Sequence, residues 1–279
     1  MAIEIIDPKI RDASELKYHT DDGPGYRMVF LDEKSGINPE FYVIGRRADN
    51  IPKNQPEYVS PHRHSNNSYY IFIGDGSKLE GLEARIDIEG QSREVLSPCS
   101  VVIPENSLHH YKLTRGKGWF FHINMNPNYN ASLTEKVRSE DIPLDSLIAK
   151  AQFRQTKPDD RPITSDDDVI ANPQRWIFIG PKIFNDAGIY AALHVIRDDL
   201  PYQYSMKQHH HSTPEAYIVT GQLNLRVSNS VESHTVNAPK AIYYPPFTEH
   251  RYEYLGGKGF ILVVFKEDKP GQGYHFILK

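Results

Sequence analysis

Short apolar runs alternate with clusters of turn-forming residues along almost the whole chain. In the first half the runs fall at 26–31, 41–44, 69–73, 82–88, 100–103 and 119–123. In the second they fall at 176–179, 190–196, 217–220, 223–227, 241–244 and 260–265. Runs this short, rich in Val, Ile, Tyr and Phe, predict the strands of a β-sandwich or barrel rather than alternating α and β units. None approaches the ~18 apolar residues of a membrane-crossing helix.

Between the halves the rhythm breaks. Ser132 with Glu135 reads as a capping box, and Leu144, Leu147, Ile148 and Ala151 follow at helical spacing, so short helices are expected there. The polar, acidic stretch 157–168 reads as a linker. The expected division is a first β domain over 1–130, a helical connector and linker over 131–168, and a second β domain over 169–279.

The halves also repeat in detail. Pro61-His62-Arg63-His64-Ser65 leads to Ser68-Tyr69-Tyr70-Ile71 and Gly74. Gln208-His209-His210-His211-Ser212 leads to Glu215-Ala216-Tyr217-Ile218 and Gly221. Further on, Pro104 to Tyr111 resembles Pro245 to Tyr252, and Gly116-Lys117-Gly118-Trp119 resembles Gly257-Lys258-Gly259-Phe260. The first copy is longer by about six residues, placed in the loop around Asp75 to Glu80, where insertion is cheap. A period this long marks two copies of one domain.

Composition adds bounds. The chain has 279 residues, enough for two cores, with 39% apolar and 24% charged residues. Its 17 tyrosines and 20 prolines suit strands with frequent turns. A net charge of −4 without a basic block suggests no nucleic-acid surface. The single cysteine, Cys99, allows no intrachain disulfide and reads as a small residue near a strand start. Charges appear early in the first residues, unlike a secretory signal, so the expected location is the cytoplasm, with no membrane partner.

The chemistry lies in the repeated histidines. In a strand, residues i and i+2 share a face, so His209 and His211 project together while His210 points away. Glu215 can return to the same pocket past Pro214, and His250 comes from a neighbouring strand. Three imidazoles and one carboxylate suit a divalent transition metal and leave positions open for substrate, water or O2. A Ca²⁺ or Mg²⁺ site would want more carboxylates. In the first copy His62, His64 and His109 occupy the matching positions, and Ser68 stands where the second has Glu215. That set is either a second, three-histidine metal site or part of a purely structural barrel.

Tyr111 and Tyr252 lie two residues beyond His109 and His250. They either hydrogen-bond a substrate or pack in the barrel. Arg85 and Arg226 would clamp a carboxylate if they faced inward, and would be solvated if outward. His110, His122, His194, His234 and His275 read as surface or core histidines. Gly74-Asp75-Gly76 lacks the lysine and helix of a phosphate loop and reads as a turn.

This pattern resembles the cupin superfamily: H-x-H, a glutamate, a glycine, then a later P-x-G-x-x-H. The second half matches through His209, His211, Glu215, Gly221, Pro245 and His250, with Phe247 where a glycine usually stands and Tyr254 where an asparagine often does. The first half matches through His62, His64, Gly74, Pro104 and His109. Duplicated, the pattern is that of a bicupin. It implies an all-β fold of two tandem jelly-roll barrels with a short helical connector, and a metal in the mouth of one or both.

Bicupins of this kind include dioxygenases, decarboxylases and isomerases. The expectation is an Fe(II)-type dioxygenase acting on a small organic acid or related metabolite, with substrate and O2 bound directly at the metal. An isomerase, decarboxylase or lyase using Mn, Ni or Zn is the alternative, and a non-catalytic ligand-binding cupin is the second. A homodimer is the base-rate expectation for assembly.

Overall fold

The computed structural model describes residues 2–19, 23–135, 151–159, 174–180, 183–184, 187–197, 205–267 and 275–276. The chain forms two units, one of Lys9–Thr156 and one of Met1–Pro8 with Lys157–Lys279. Every predicted run carries a strand, and His109–Gly116, Ser233–Asn237 and Arg251–Gly256 are further strands that no run announced.

In the first unit a seven-stranded antiparallel sheet runs in the order Gln152–Gln155, Cys99–Ile103, Ser68–Gly74, Gly118–Asn124, Tyr42–Ala48, Tyr26–Leu31, Lys9–Ile10. A three-stranded sheet of Gln91–Leu96, Leu82–Ile88 and His109–Gly116 completes the barrel. Side chains alternate in and out along each strand. Tyr70, Phe72, Ala84, Ile86, Val101, Ile103, Tyr111 and Phe120 point inward from both sheets and form one core. The polar strand Gln91–Leu96 is mostly exposed, which is why no apolar run announced it.

The second unit repeats this plan. Its large sheet runs Glu4–Ile6, Lys240–Tyr244, Glu215–Gly221, Gly259–Lys266, Ile189–Ile196, Gln174–Ile179, Pro158–Asp159. The small sheet holds Ser233–Asn237, Asn224–Ser228 and Arg251–Gly256. Gly116 closes on the carbonyl of Gly81 and Gly257 on that of Gln222, so the extra residues of the first copy fall between Gly74 and Gly81. No described helix is long and apolar enough to cross a membrane.

Several local expectations change. Two edge strands lie far along the chain from the strands they pair with. Glu4–Ile6 pairs with Lys240–Tyr244, and Gln152–Gln155 pairs with Cys99–Ile103. Residues 152–155, expected in the connector, therefore form a strand of the first unit. A strand of three or four residues is too short for its alternation to name a partner. Ser132 does not cap a helix start: it ends the one-turn helix Tyr129–Ser132, which Asn128 caps by accepting a hydrogen bond from the Ala131 amide. Asn128 wins because its side chain reaches that free amide. The expected helix through Leu144, Leu147 and Ile148 lies outside the described residues.

Candidate metal centres

In the second unit the backbones of His209 and His250 pair through two hydrogen bonds, of 3.1 and 2.8 Å. That pairing sets the two imidazoles side by side, with ring centroids 4.4 Å apart. His211 follows His209 on the same face. Glu215 begins the strand Glu215–Gly221, held between Lys240–Tyr244 and Gly259–Lys266. One donor atom from each of the four residues lies within 4.8 Å of the others.

Hydrogen bonds behind the rings orient them. The Nδ1 of His209 faces the Lys207 carbonyl at 2.9 Å, and that of His250 faces the Thr248 carbonyl at 2.8 Å. Each Nδ1–H donates, so each Nε2 keeps its lone pair for the centre. Glu215 Oε2 lies 2.5 Å from His250 Nε2 and 3.4 Å from His211 Nε2. Tyr244 stacks on His250 at 3.9 Å and Phe265 on His211 at 4.4 Å, fixing the ring planes.

All four residues are buried. Burial pulls His209 and His250 down to about 4 and pushes the Glu215 carboxyl up. The imidazoles are thus neutral near pH 7, the form that binds metal. His250 Nε2 and Glu215 Oε2 make no hydrogen bond although fully buried. A divalent cation among them would satisfy both atoms, so the donor set fits a metal in number, type and arrangement.

The first unit builds the same frame. His62 and His109 pair through backbone hydrogen bonds of 3.0 and 2.9 Å, and the three ring donors of His62, His64 and His109 converge within the same 4.8 Å. Ser107 and Ser60 carbonyls, each at 2.8 Å, accept from the Nδ1 atoms of His109 and His62. Ser68 is fully buried and meets Asn124 at 3.5 Å. Tyr129 enters instead: its hydroxyl lies 3.0 Å from His62 Nε2 and 3.1 Å from His19 Nε2. Ser132 Oγ sits 2.6 Å from His64 Nδ1.

Of the other expected residues, Tyr111 and Tyr252 point into the cores, and the Tyr252 hydroxyl meets His194 Nδ1 at 3.0 Å. Arg85 and Arg226 do not reach either centre. Arg85 pairs with Glu57 at 2.6 Å and Asp87 at 3.0 Å, and Arg226 pairs with Glu253 at 2.9 Å. Both alternate with inward neighbours, Ala84 and Ile86 for Arg85 and Leu225 and Val227 for Arg226, so the strand period turns them outward. His110 pairs with Asp87 at 3.2 Å and His234 with Glu232 at 3.0 Å. His122 is a core residue, 4.9 Å from the Tyr70 ring. The side chain of His275 lies outside the described residues. Cys99 is buried, and burial pushes its thiol up to about 12, so it is no nucleophile.

Sequence reasoning missed His19, Tyr129 and Ser132, which come from loops or a one-turn helix and carry no periodic signal. It also missed Arg27 and Arg46. Their inward parity was readable from the runs at 26–31 and 41–44, once the alternation was carried onto charged positions.

No protein-family model and no curated protein matches the sequence. Solved structures do match. A mutant oxalate decarboxylase of Bacillus subtilis superposes with a TM-score of 0.60 at 14% identity, covering 98% of this chain and 77% of that one. The oxalate decarboxylase of Lactobacillus farciminis, in a formate complex, gives 0.59 at 15% identity over 98% of this chain and 86% of that one. The chain has a tandem cupin fold. Another structure of the Bacillus subtilis enzyme, studied for its Mn(II) centres, gives 0.58 at 14% identity, covering 96% of this chain and 78% of that one. Within this fold the repeated histidines lie at equivalent places in the two units. The likeness is one of fold, and function has to be argued from the site.

Proposed function

We propose that this tandem cupin is a metal-dependent enzyme acting on a small organic acid, with its metal held in the second unit by His209, His211, Glu215 and His250. The observation that carries the reading is the convergence of four buried donor atoms within 4.8 Å. Bound there, a divalent metal supplies a Lewis acid with open positions for a carboxylate or carbonyl oxygen. Mn(II) suits the set, and Fe(II), Ni(II) and Zn(II) fit the same donors.

The protein's own side chains shape the pocket. Tyr244 and Phe265 clamp the imidazoles and keep water from their faces. Tyr252 lies one inward position beyond His250, with its hydroxyl held by His194. Burial keeps His194 neutral, down to about 3, so this pair can hold or pass a proton at the Tyr252 oxygen without a fixed charge.

For the reaction we favour decarboxylation over the dioxygenation expected from the sequence. The ligand set serves both, but the similar structures are oxalate decarboxylases. The full-length protein, supplied with Mn(II), is to be incubated with oxalate, malonate and small keto acids while CO2 release and O2 uptake are followed together. CO2 release without matching O2 consumption, abolished in Glu215→Gln, is the expected result. O2 consumed in step with substrate would move the assignment to a dioxygenase. Activity unchanged in Glu215→Gln would remove the second unit from the chemistry.

A further inference from the structure

The first centre lacks the anionic donor of the second. Ser68 stands where the second unit has Glu215, and among the described residues His62, His64 and His109 converge there without a carboxylate. The proton positions of the three rings are fixed by their neighbours. The Ser60 and Ser107 carbonyls accept from Nδ1 of His62 and His109, each at 2.8 Å. The Ser132 hydroxyl gives its single proton to the Tyr129 carbonyl at 2.6 Å, so towards His64 Nδ1, also at 2.6 Å, it can only accept. Each ring therefore carries its proton on Nδ1 and keeps a lone pair on Nε2. His64 Nε2 and His109 Nε2 are buried with no hydrogen-bond partner. Converging buried lone pairs without donors are the acceptors of a cation site.

The third lone pair, on His62 Nε2, faces the Tyr129 hydroxyl at 3.0 Å. Metal–nitrogen bonds of about 2.0–2.1 Å put neighbouring donors of one ion roughly 3 Å apart, so this spacing suits two ligands of a shared ion as well as a hydrogen bond. The backbone holds Tyr129 in place. Its one-turn helix is fastened to the histidine segment, with the Ser65 amide donating to the Ser132 carbonyl at 2.7 Å and the Thr134 amide to the Arg63 carbonyl at 3.0 Å. Leu133 pairs with His64, and the Tyr129 ring meets the His64 ring edge-on at 4.9 Å. On its other side the phenol oxygen accepts from His19 Nε2 at 3.1 Å. An outer hydrogen bond of this kind orients and holds an anionic ligand.

We propose that the first unit holds a second divalent transition metal through His62, His64, His109 and the phenolate of Tyr129, which takes the part that Glu215 plays in the second unit. On binding, the Tyr129 O–H bond breaks and its proton leaves to solvent. The oxygen then bonds the metal while still accepting from His19. The phenolate supplies the negative charge that three neutral imidazoles lack, and with the same ion both centres carry the same net charge. Without it a dication would be buried uncompensated. The site is separate from the four-donor centre and does not depend on the chemistry proposed there.

The test is titration of the full-length, chelator-treated protein with Cu(II), followed by visible absorption, in His211→Ala so that the second centre does not compete. Cu(II) is expected to bind at about one equivalent per chain, with a phenolate-to-copper charge-transfer band that histidine ligands alone do not give. Adding Tyr129→Phe is expected to abolish the band and weaken Cu(II) binding about tenfold or more. Adding Tyr70→Phe instead, whose hydroxyl is buried in the same core without a partner, is expected to keep the band. Resonance Raman excited in the band is expected to show tyrosinate modes in His211→Ala itself, so the test survives if Tyr129→Phe fails to fold. No Cu(II) bound, Cu(II) bound without the band or without tyrosinate modes, or a band that persists in Tyr129→Phe or vanishes in Tyr70→Phe would each overturn the proposal. The band in His211→Ala, beside a wild type that releases no CO2, would support this site and overturn only the function proposed for the second.

Discussion

The Tyr129 hydroxyl bridges His62 and His19, 3.0 Å from one ring nitrogen and 3.1 Å from the other. His62 Nδ1 faces the Ser60 carbonyl, so its Nε2 accepts the tyrosine proton and His19 donates to the phenol oxygen. Tyr129→Phe strands both nitrogens in a buried place. The expected loss is about 1–3 kcal/mol of stability, read as a lowered midpoint in urea unfolding of the protein. An unchanged midpoint would mean that the bridge does not hold the first unit together.

Phe247 adopts a φ of 59° and is 62% exposed, and its counterpart Asn106 has a φ of 61°. The left-handed turn that a glycine usually serves is thus kept with side chains that pay for it. Phe247→Gly should stabilise the protein by about 0.5–1 kcal/mol, since the left-handed cost of an L-residue exceeds the lost chain entropy and little apolar area leaves water exclusion. Destabilisation in a thermal melt would show that the exposed ring has a packing role.

Burial holds His62, His209 and His250 down to about 4, and His19 and His194 to about 3. Unfolded histidines titrate near 6.5. Between pH 6.5 and 4 the unfolded chain therefore binds more protons than the folded one, and stability falls as pH falls through that window. Chelator-treated protein should lose stability steeply from pH 7 to pH 5 in denaturant titrations. A flat profile would show that these rings are protonated, or solvated, in the fold.

How much of this was legible in the sequence follows from the kind of signal each feature leaves. The ligands His209, His211 and His250 stood out because spacing and repetition fixed them twice, once in each half, whereas Glu215 stood out by its spacing alone, since Ser68 takes its place in the first half. Cross-strand pairing, as of His209 with His250, brings together residues that lie far apart along the chain, and only the repeat made that pair readable. Tyr129 and His19 reach the first centre from irregular backbone, where no period applies. The edge strands Glu4–Ile6 and Gln152–Gln155 take their place from ladder hydrogen bonds, which composition does not encode.

Arg226 illustrates the reverse case, a charged residue on a core strand that alternation turns outward. It is paired with Glu253 at the surface, with its side chain 49% exposed. Arg226→Ala should change stability by no more than about 1 kcal/mol and leave turnover unchanged, as exposed ion pairs contribute little. A large fall in turnover, measured in the CO2-release assay, would place Arg226 on the substrate path.

The central claim is that four residues of the second unit hold a metal, and elemental analysis of the full-length protein tests it most directly. Wild type and His211→Ala are to be purified in parallel without chelator and checked for the same fold by circular dichroism. The account predicts that the variant loses about one equivalent of divalent transition metal per chain, since a buried ligand set of this kind does not tolerate removal of an imidazole. Equal metal content in the two proteins would contradict it.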